Sequence, residues 1–206
     1  MATYNSTTFG GISGRHGTAV ASVGKTGNIL RVYKAPSNPK TERQISQRTK
    51  FSFSANSLAC MRELFKYTFR HKGGYNYGLS LAMRGAVTGE TPDFLIDFSK
   101  LKVSEGSVYS AVVNTTKQEN NVLKLEWSTA NINDKSSNAK SSDLVYIVMY
   151  NEELHEACLF DGIAKRQEGT TTVSIPELWT GITHGWLYFG RADESLESNS
   201  VYLGKL

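Results

Sequence analysis

The chain has 206 residues, of which 39% are hydrophobic and 11% aromatic, and its formal net charge is +4. This composition supplies enough apolar surface for one large domain or two small ones, and it argues against a disordered chain. No basic segment followed by an apolar run opens the sequence, and no stretch approaches the roughly 18 apolar residues of a membrane helix, so we expect a cytosolic chain that spans no membrane.

The charge is distributed unevenly along the chain. Residues 1–75 contain 12 lysines and arginines against two glutamates, a net charge of +10, whereas the remaining residues carry 11 basic against 17 acidic side chains, a net charge of −6. Such asymmetry indicates either a basic surface for nucleic acid or complementary ends that meet head to tail between subunits. A solvated charged face without a partner is the third interpretation.

The first 37 residues are rich in glycine, serine and threonine and contain two β-branched segments. Residues 18–23 and 28–33 flank the glycine-containing segment 24–27, a pattern that predicts a β-hairpin with a four-residue loop. Residues 1–17 precede the hairpin and hold four glycines. We expect this N-terminal arm to be mobile in the free chain and to become ordered on a neighbouring molecule.

A long helix is predicted within residues 38–72. Pro39 favours an extended entry, Thr41 can cap the helix, and Gln44 can return the hydrogen bond from three residues further on. The next glycine or proline is Gly73, so the sequence allows one helix of up to about 30 residues.

The apolar residues of this helix form two opposed stripes at about 100° per residue. One stripe contains Phe51, Ala55, Leu58, Phe65 and Phe69, and the other, our candidate subunit interface, contains Phe53, Cys60, Leu64 and Tyr67. Our candidate basic contacts are Arg43, Arg48, Lys50, Arg62, Lys66 and Arg70. Two stripes indicate a helix between its own domain and a second surface, although a helix buried in one larger core explains them equally well.

Strand patterns dominate the chain after a short helical pattern at residues 75–86. The predicted strands are residues 94–98, 108–113, 123–127, 143–150, 171–175, 185–191 and 200–203. The unbroken apolar run at 143–150 is expected at the centre of a sheet. The patterns predict an α+β chain with an N-terminal arm, β-hairpin and long helix over 1–102, followed by an antiparallel immunoglobulin-like or fibronectin-like β-sandwich over 103–206.

Residues with catalytic or metal-binding chemistry are few. The four histidines are scattered without the spacing of a metal pair, and a solvated loop explains the glutamates around His155 better than an acid–base or metal site. The three tryptophans could form a sugar platform, but a sandwich core explains them better. Cys60 and Cys158 are expected to be free thiols. We therefore expect no enzymatic activity, no cofactor and no metal.

Several spaced motifs together carry a resemblance that covers nearly the full chain. They are Asn38-Pro39-Lys40-Thr41 with Gln44, Gln47-Arg48 and Phe51; Val87-Thr88-Gly89 with Pro92-Asp93-Phe94; Ile96-Asp97-Phe98-Ser99-Lys100; Ser104-Glu105-Gly106-Ser107; and Ser198-Asn199-Ser200-Val201-Tyr202-Leu203-Gly204. This combination resembles an uncharacterised domain family of gut Bacteroides-type bacteria and their phages. The first motif is also similar to a pattern of phage virion proteins.

The resemblance implies a non-enzymatic, β-rich structural protein, a ring-forming subunit in the tail or collar of a crAss-like bacteriophage. It assigns no catalytic residue. On this interpretation the chain assembles with itself and with neighbouring virion proteins through its arm and long helix, meets DNA only transiently, and passes from the host cytoplasm into the virion. The alternative is a nucleic-acid-binding module that uses the basic N-terminal third.

Overall fold

The computed structural model describes residues 2–4, 11–25, 27–35, 37–117, 121–132, 134 and 137–206. Contacts between Cα atoms divide the chain into two compact units, Met1–Thr41 and Glu42–Leu206. The boundary that we placed between residues 102 and 103 stays a prediction about independent folding.

The first unit is a small antiparallel sheet. Its strands are β1 (Ala2–Tyr4), β2 (Gly14–His16), β3 (Ala19–Gly24) and β4 (Gly27–Val32), in the order β1-β4-β3-β2. The predicted hairpin is confirmed as β3 and β4, and their ladder extends to the pair Gly24 and Gly27, so the loop is shorter than expected. Parts of the predicted arm, β1 and β2, belong to this sheet, whereas residues 5–10 lie outside the described residues.

The prediction of one long helix is wrong. Helix α1 (Glu42–Ser57) is followed by a 3-10 turn at Ala59–Met61 and by a shorter helix, α2 (Arg62–Thr68). Leu58 leaves the helical conformation, with φ −103° and ψ 16°. Near the break, the Ser54 hydroxyl donates a 2.7 Å hydrogen bond to the Lys50 carbonyl, a contact that tends to bend helices.

After the break, residues of both apolar stripes lie in one core. Leu58 and Phe65 of the first stripe are fully buried and Leu64 of the second is 8% exposed, whereas Phe51 of the first stripe stays exposed on α1. The segment after α2 turns at Gly73 and Gly74, which have φ of 116° and 60°, a region that glycine adopts without strain. Helix α3 (Tyr75–Gly85) follows and confirms the short helix predicted there.

The strands of the second unit form one hairpin and two larger antiparallel sheets. The hairpin joins β5 (Val87–Glu90) to β6 (Asp93–Ile96). The remaining strands are β7 (Val113–Lys117), β8 (Val122–Trp127), β9 (Leu144–Asn151), β10 (Glu156–Lys165), β11 (Thr170–Ser174), β12 (Thr183–Gly190) and β13 (Val201–Lys205). One sheet has the order β11-β8-β7 and the other the order β10-β9-β12-β13.

The strand predictions for the second unit differ from the structure in several places. Strand β5 lies where no strand was predicted. The strand expected at 108–113 is displaced to β7, and Val108 makes only an isolated bridge to Ser198. The strand β10 was not predicted, because its sequence mixes glutamate, aspartate and glycine with apolar residues and has no clean alternation. The prediction that residues 143–150 lie centrally is confirmed, since β9 pairs with both β10 and β12.

Two hydrophobic cores lie on opposite faces of the four-stranded sheet. Alternate residues of β9, including Val145 and Ile147, face Leu125 of the three-stranded sheet in one core. The other residues, including Tyr146 and Val148, pack with the helices in a second core. The fold is therefore a mixture of helices and antiparallel sheets, and the shared core of the two sheets is consistent with a β-sandwich.

Candidate interaction surfaces

One face of the N-terminal sheet is apolar and exposed. Residues directly opposite on antiparallel strands share a face, and successive residues alternate. Because Ala19 pairs with Val32 and Ala21 pairs with Leu30, these side chains share a face with Val23. We call these five residues the apolar sheet face. Val32 is 81% exposed, Val23 57% and Leu30 39%.

This sheet has almost no interior of its own. Ala21 is the only fully buried side chain among the described residues of Met1–Thr41. Fully burying a valine or leucine contributes about 1.5 to 3 kcal/mol, and a small sheet needs a packed apolar face for independent stability. The apolar sheet face therefore lacks a packed core within the described residues of its own unit.

The N-terminal unit is also purely basic. Residues 1–41 contain five lysines and arginines and no aspartate or glutamate. Arg31 pairs with Val20 on the face opposite the apolar one. Arg15 also pairs with Val20 and therefore lies on the same face as Arg31. The Arg15 guanidinium lies 3.9 Å from the centre of the Tyr33 ring. Lys25, in the turn between β3 and β4, and Lys34, just after β4, lie at the two ends of the hairpin.

Helix α1 is a second exposed element. Ser54 is its only fully buried residue, whereas Ile45 and Phe51 are 45% and 53% exposed. A groove of about 790 Å³ between α1 and the β5–β6 hairpin is lined by Arg43, Ile45 and Phe94, among others. The helix thus contributes little to the core of its own unit and presents mixed apolar and basic side chains.

The four candidate interface residues do not form one exposed stripe. Phe53 is half-buried with its ring centre 6.1 Å from that of Phe94, and Leu64 is 8% exposed within the helical core. Cys60 is half-buried, and burial raises the pKa of its thiol. The Tyr67 hydroxyl donates a 3.2 Å hydrogen bond to Asp161. These side chains pack largely within the chain, and their role between subunits stays a prediction.

The six candidate basic contacts divide between two helices. Arg43, Arg48 and Lys50 lie on α1. On and after α2, Lys66 pairs with Glu63 at 2.6 Å and the Arg62 guanidinium lies 4.6 Å from the Tyr75 ring centre. Arg70 contacts acidic residues near the C-terminus, with atoms 2.9 Å from Glu194 and 3.7 Å from Glu197. Several of these cations therefore already have partners in their own chain.

A charged cavity of about 330 Å³ lies beyond the end of α2. The Glu105 carboxylate accepts hydrogen bonds of 2.6 Å from the Tyr77 hydroxyl and 3.0 Å from Lys102. These two contacts lower the pKa of Glu105 to about 2. On the same cavity, burial raises the pKa of Glu197 although Arg70 opposes the shift. The pKa of Glu105 falls because its carboxylate is partly solvated and well hydrogen-bonded, and the pKa of Glu197 rises because its carboxylate is desolvated.

His184 is the histidine with the most defined surroundings, and sequence reasoning did not single it out. It is 2% exposed, its Nδ1 lies 2.7 Å from the Tyr202 hydroxyl, and its Nε2 lies 2.7 Å from Glu152. Its ring stacks on Phe98 with centres 4.3 Å apart. The carboxylate, imidazole and phenol resemble an acid–base relay, but burial raises the pKa of Tyr202 and thus disfavours the phenolate that a nucleophile requires.

The His184 contacts are better explained by structure than by catalysis. Both ring nitrogens are occupied by side chains of the same chain, so the imidazole joins the turn after β9 to strand β13. His155, which sequence reasoning considered with its neighbouring glutamates, is exposed with φ of 52° and lies 3.2 Å from the Tyr150 hydroxyl. The predicted loop position of His155 is thus confirmed.

A buried ionic network lies at the end of the sandwich where β9 begins and β12 ends, opposite the end that contains His184. Asp143 contacts Arg191 at 3.1 Å and Arg166 at 3.4 Å, and all three are at most 8% exposed. Arg166 also lies 3.6 Å from the centre of the Phe189 ring. Burial lowers the pKa of Arg166 to about 10, which leaves the guanidinium charged at neutral pH. Such a network orients strand ends and offers no free reactive group.

Two kinds of site are not found in the described part of the chain. Within these residues, no group of three or more histidine, cysteine, aspartate or glutamate side chains is placed to hold a metal ion. None of the helices described has the length and apolar character needed to cross a membrane.

Comparison with known proteins gives a family but no activity. Residues 11–204 match the model of the Family of unknown function (DUF6266). The search of curated proteins gives no match. Among solved structures, the crystal structure of pectate lyase Pel3 from Pectobacterium carotovorum is similar at a TM-score of 0.25 and 15% identity, over 46% of this chain and only 26% of that one. A likeness this weak carries no argument. Because the family model covers nearly the whole sequence, the chain belongs to the Family of unknown function (DUF6266).

Proposed function

We propose that the chain is a non-enzymatic structural subunit that assembles with further copies of itself through its N-terminal unit. The observation that carries this proposal is the apolar sheet face, which exposes Val23, Leu30 and Val32 on a sheet with almost no core. An uncovered face of this kind is an aggregation liability in a monomer and an ordinary feature of a subunit surface. The exposed helix α1 adds a second surface.

The sandwich is proposed to be immunoglobulin-like or fibronectin-like. The support is its strand order, in which β7, β8 and β11 form one sheet and β9, β10, β12 and β13 the other, with both sheets antiparallel. Seven strands divided between two sheets over a common core are typical of these domains. On this proposal the sandwich is a rigid body that displays loops for protein contacts.

The virion assignment rests on the sequence resemblance. A ring-forming protein of a bacteriophage tail or collar would bind copies of itself and neighbouring virion proteins, and would leave the host cytoplasm as part of the particle. The polar side chains described above favour this class over an enzyme, because His184, Glu152 and Asp143 are engaged in contacts within the chain.

A nucleic-acid-binding module is the second candidate. The specific observation in its favour is the N-terminal unit, which carries five basic and no acidic residues. The contacts of Arg70 with Glu194 and of Lys66 with Glu63 weigh against a continuous phosphate-binding stripe on the helices.

Two neighbouring residues of β3 give a matched test of the assembly proposal. Val23→Asp places a charge on the apolar sheet face, whereas Ser22→Asp places the same charge on the opposite face of the same strand. Both positions are exposed, so we expect both variants to fold. Light scattering should give an assembled mass for the wild type and Ser22→Asp and a monomer mass for Val23→Asp.

Circular dichroism provides the folding control, since the far-UV spectra, which report secondary structure, should be nearly the same in all three proteins. Equal masses for the two variants would remove the apolar sheet face from the assembly. A wild-type chain that stays monomeric at every concentration would overturn self-assembly itself.

A further inference from the structure

One end of the β-sandwich combines exposed apolar side chains with acidic ones. The turn between β9 and β10 exposes Leu154 (43%), and the segment before β12 exposes Leu178 (87%) and Ile182 (39%). The two segments are joined, because the Glu152 amide donates a 2.9 Å hydrogen bond to the Ile182 carbonyl and the Asn151 side chain donates one to the Thr180 carbonyl.

The acidic residues of this end lie in the same two segments. Glu153 lies beside Gly181, and Glu156 accepts a 3.0 Å hydrogen bond from the Trp179 indole. Glu177 is exposed next to Leu178. Residues 151–164 and 174–190 contain no lysine or arginine, so the charge of this end is not balanced within these segments. We call Glu153, Leu154, Glu177, Leu178 and Ile182 the acidic end.

The apolar sheet face and the acidic end are complementary. Each exposes three large aliphatic side chains, and the former is flanked by Lys25 and Lys34 within a unit that has no acidic residue. We infer that the apolar sheet face of one copy docks onto the acidic end of a second copy. This inference rests on the proposed function and names the two surfaces that would meet.

The contact is heterologous, since two different surfaces of the same chain meet. Repeating such a contact generates a ring where the rotation closes and a filament where it does not. Two six-residue strands flanked by two short ones present at most about 400 Å² of sheet face, roughly half of what one partner buries in a standard interface. A single contact is therefore weak, and assembly rises steeply with concentration because a closed ring makes several contacts together.

Charge reversal tests the pairing directly. Lys25→Glu with Lys34→Glu reverses the lysines that flank the apolar sheet face, and Glu153→Lys with Glu177→Lys reverses the acidic end. We expect each double variant to need at least about tenfold more protein than the wild type to assemble, as measured by light scattering. An equimolar mixture of the two double variants should assemble again, because each reversed surface then finds a complementary one.

The matched control reverses two carboxylates elsewhere. Glu63→Lys with Glu126→Lys makes the same change in net charge as the double variant of the acidic end, at side chains that are 79% and 52% exposed. It should leave assembly unchanged. If the wild type assembles but the two test variants assemble equally well, or their mixture is not restored, this pairing is wrong and the assembly proposal survives. A wild type that stays monomeric, or that assembles only on added duplex DNA, overturns both.

Discussion

At the residue scale, the polar groups inside the second unit act as internal anchors. Asp143 forms ion pairs with two buried arginines. His184 contacts two separate segments through its two ring nitrogens, and Ser104 donates a 2.8 Å hydrogen bond to the Ser198 carbonyl. Buried groups of this kind must be bonded, because an unpaired buried polar group destabilises a fold by about 1 to 3 kcal/mol. Their partners lie 18 to 94 residues away in the sequence, so the sequence alone could not reveal these contacts.

Glu105 gives a prediction of pH dependence. Its pKa falls from about 4.5 in the unfolded chain to about 2 in the folded one, so its stabilising contribution is present above pH 4.5 and is lost as the pH falls towards 2. Glu105→Gln should therefore lower the free energy of unfolding at neutral pH by on the order of 1 to 2 kcal/mol after solvent screening. This deficit should vanish in acid, as measured by urea unfolding across that range.

Glu197 is the control for this prediction, since burial raises the pKa of its carboxyl. A raised pKa disfavours ionisation in the fold, so its contribution is present at low pH and is lost as the pH rises through the folded value. The stability of Glu197→Gln relative to the wild type should therefore increase with pH, opposite to Glu105→Gln. The same slope for both variants would contradict the assignment.

At the scale of elements, the sequence predicted those that have local signals. Gly24 and Gly27 mark the β3–β4 hairpin, the apolar run of β9 marks a central strand, and Gly74 precedes α3. The break at Leu58 could not be predicted, because no glycine or proline marks it. Leu58 and Met61 are buried in a core that includes residues of the four-stranded sheet, which lie far away in the sequence. The assignment of Leu64 to an interface stripe likewise assumed one straight helix, and Leu64 lies in the helical core of the broken one.

Two fragments test how the helices and the sandwich depend on each other. The helical core contains Tyr146, Tyr150, Trp186 and Tyr188 from the four-stranded sheet, so residues 103–206 alone would expose an aromatic face. Buried aromatic residues of this kind cover about 150 to 250 Å² each, and four of them exceed the apolar patches that monomers tolerate. We expect fragment 42–206 to be soluble with one cooperative melting transition and fragment 103–206 to aggregate.

The fragment experiment has a defined opposite outcome. A soluble, cooperatively melting fragment 103–206 would support the predicted boundary between residues 102 and 103, and it would mean that the helices add little to the stability of the sheet. The measurement is differential scanning calorimetry of both fragments beside the full chain.

At the scale of the whole molecule, the small N-terminal unit differs from the rest of the chain in both charge and burial. Met1–Thr41 carries a net charge of +5 with one fully buried side chain among its described residues, whereas Glu42–Leu206 contains both hydrophobic cores. A unit that is basic, small and nearly without an interior gains most of its stability by covering its apolar face. Either an acidic protein surface or a nucleic acid would neutralise the positive charge of this unit. Only a protein partner would also cover Val23, Leu30 and Val32.

The mass of the full-length chain in solution is the most direct test of the assembly proposal. Light scattering over a range of protein concentrations, at 50 mM and 200 mM salt and with and without duplex DNA, separates the two functions. We predict an assembled mass at both salt concentrations without DNA, and DNA binding that is weak and changes little with salt. A monomer that binds DNA tightly and loses on the order of a thousandfold in affinity between these salt concentrations would contradict the proposal and favour the nucleic-acid-binding module.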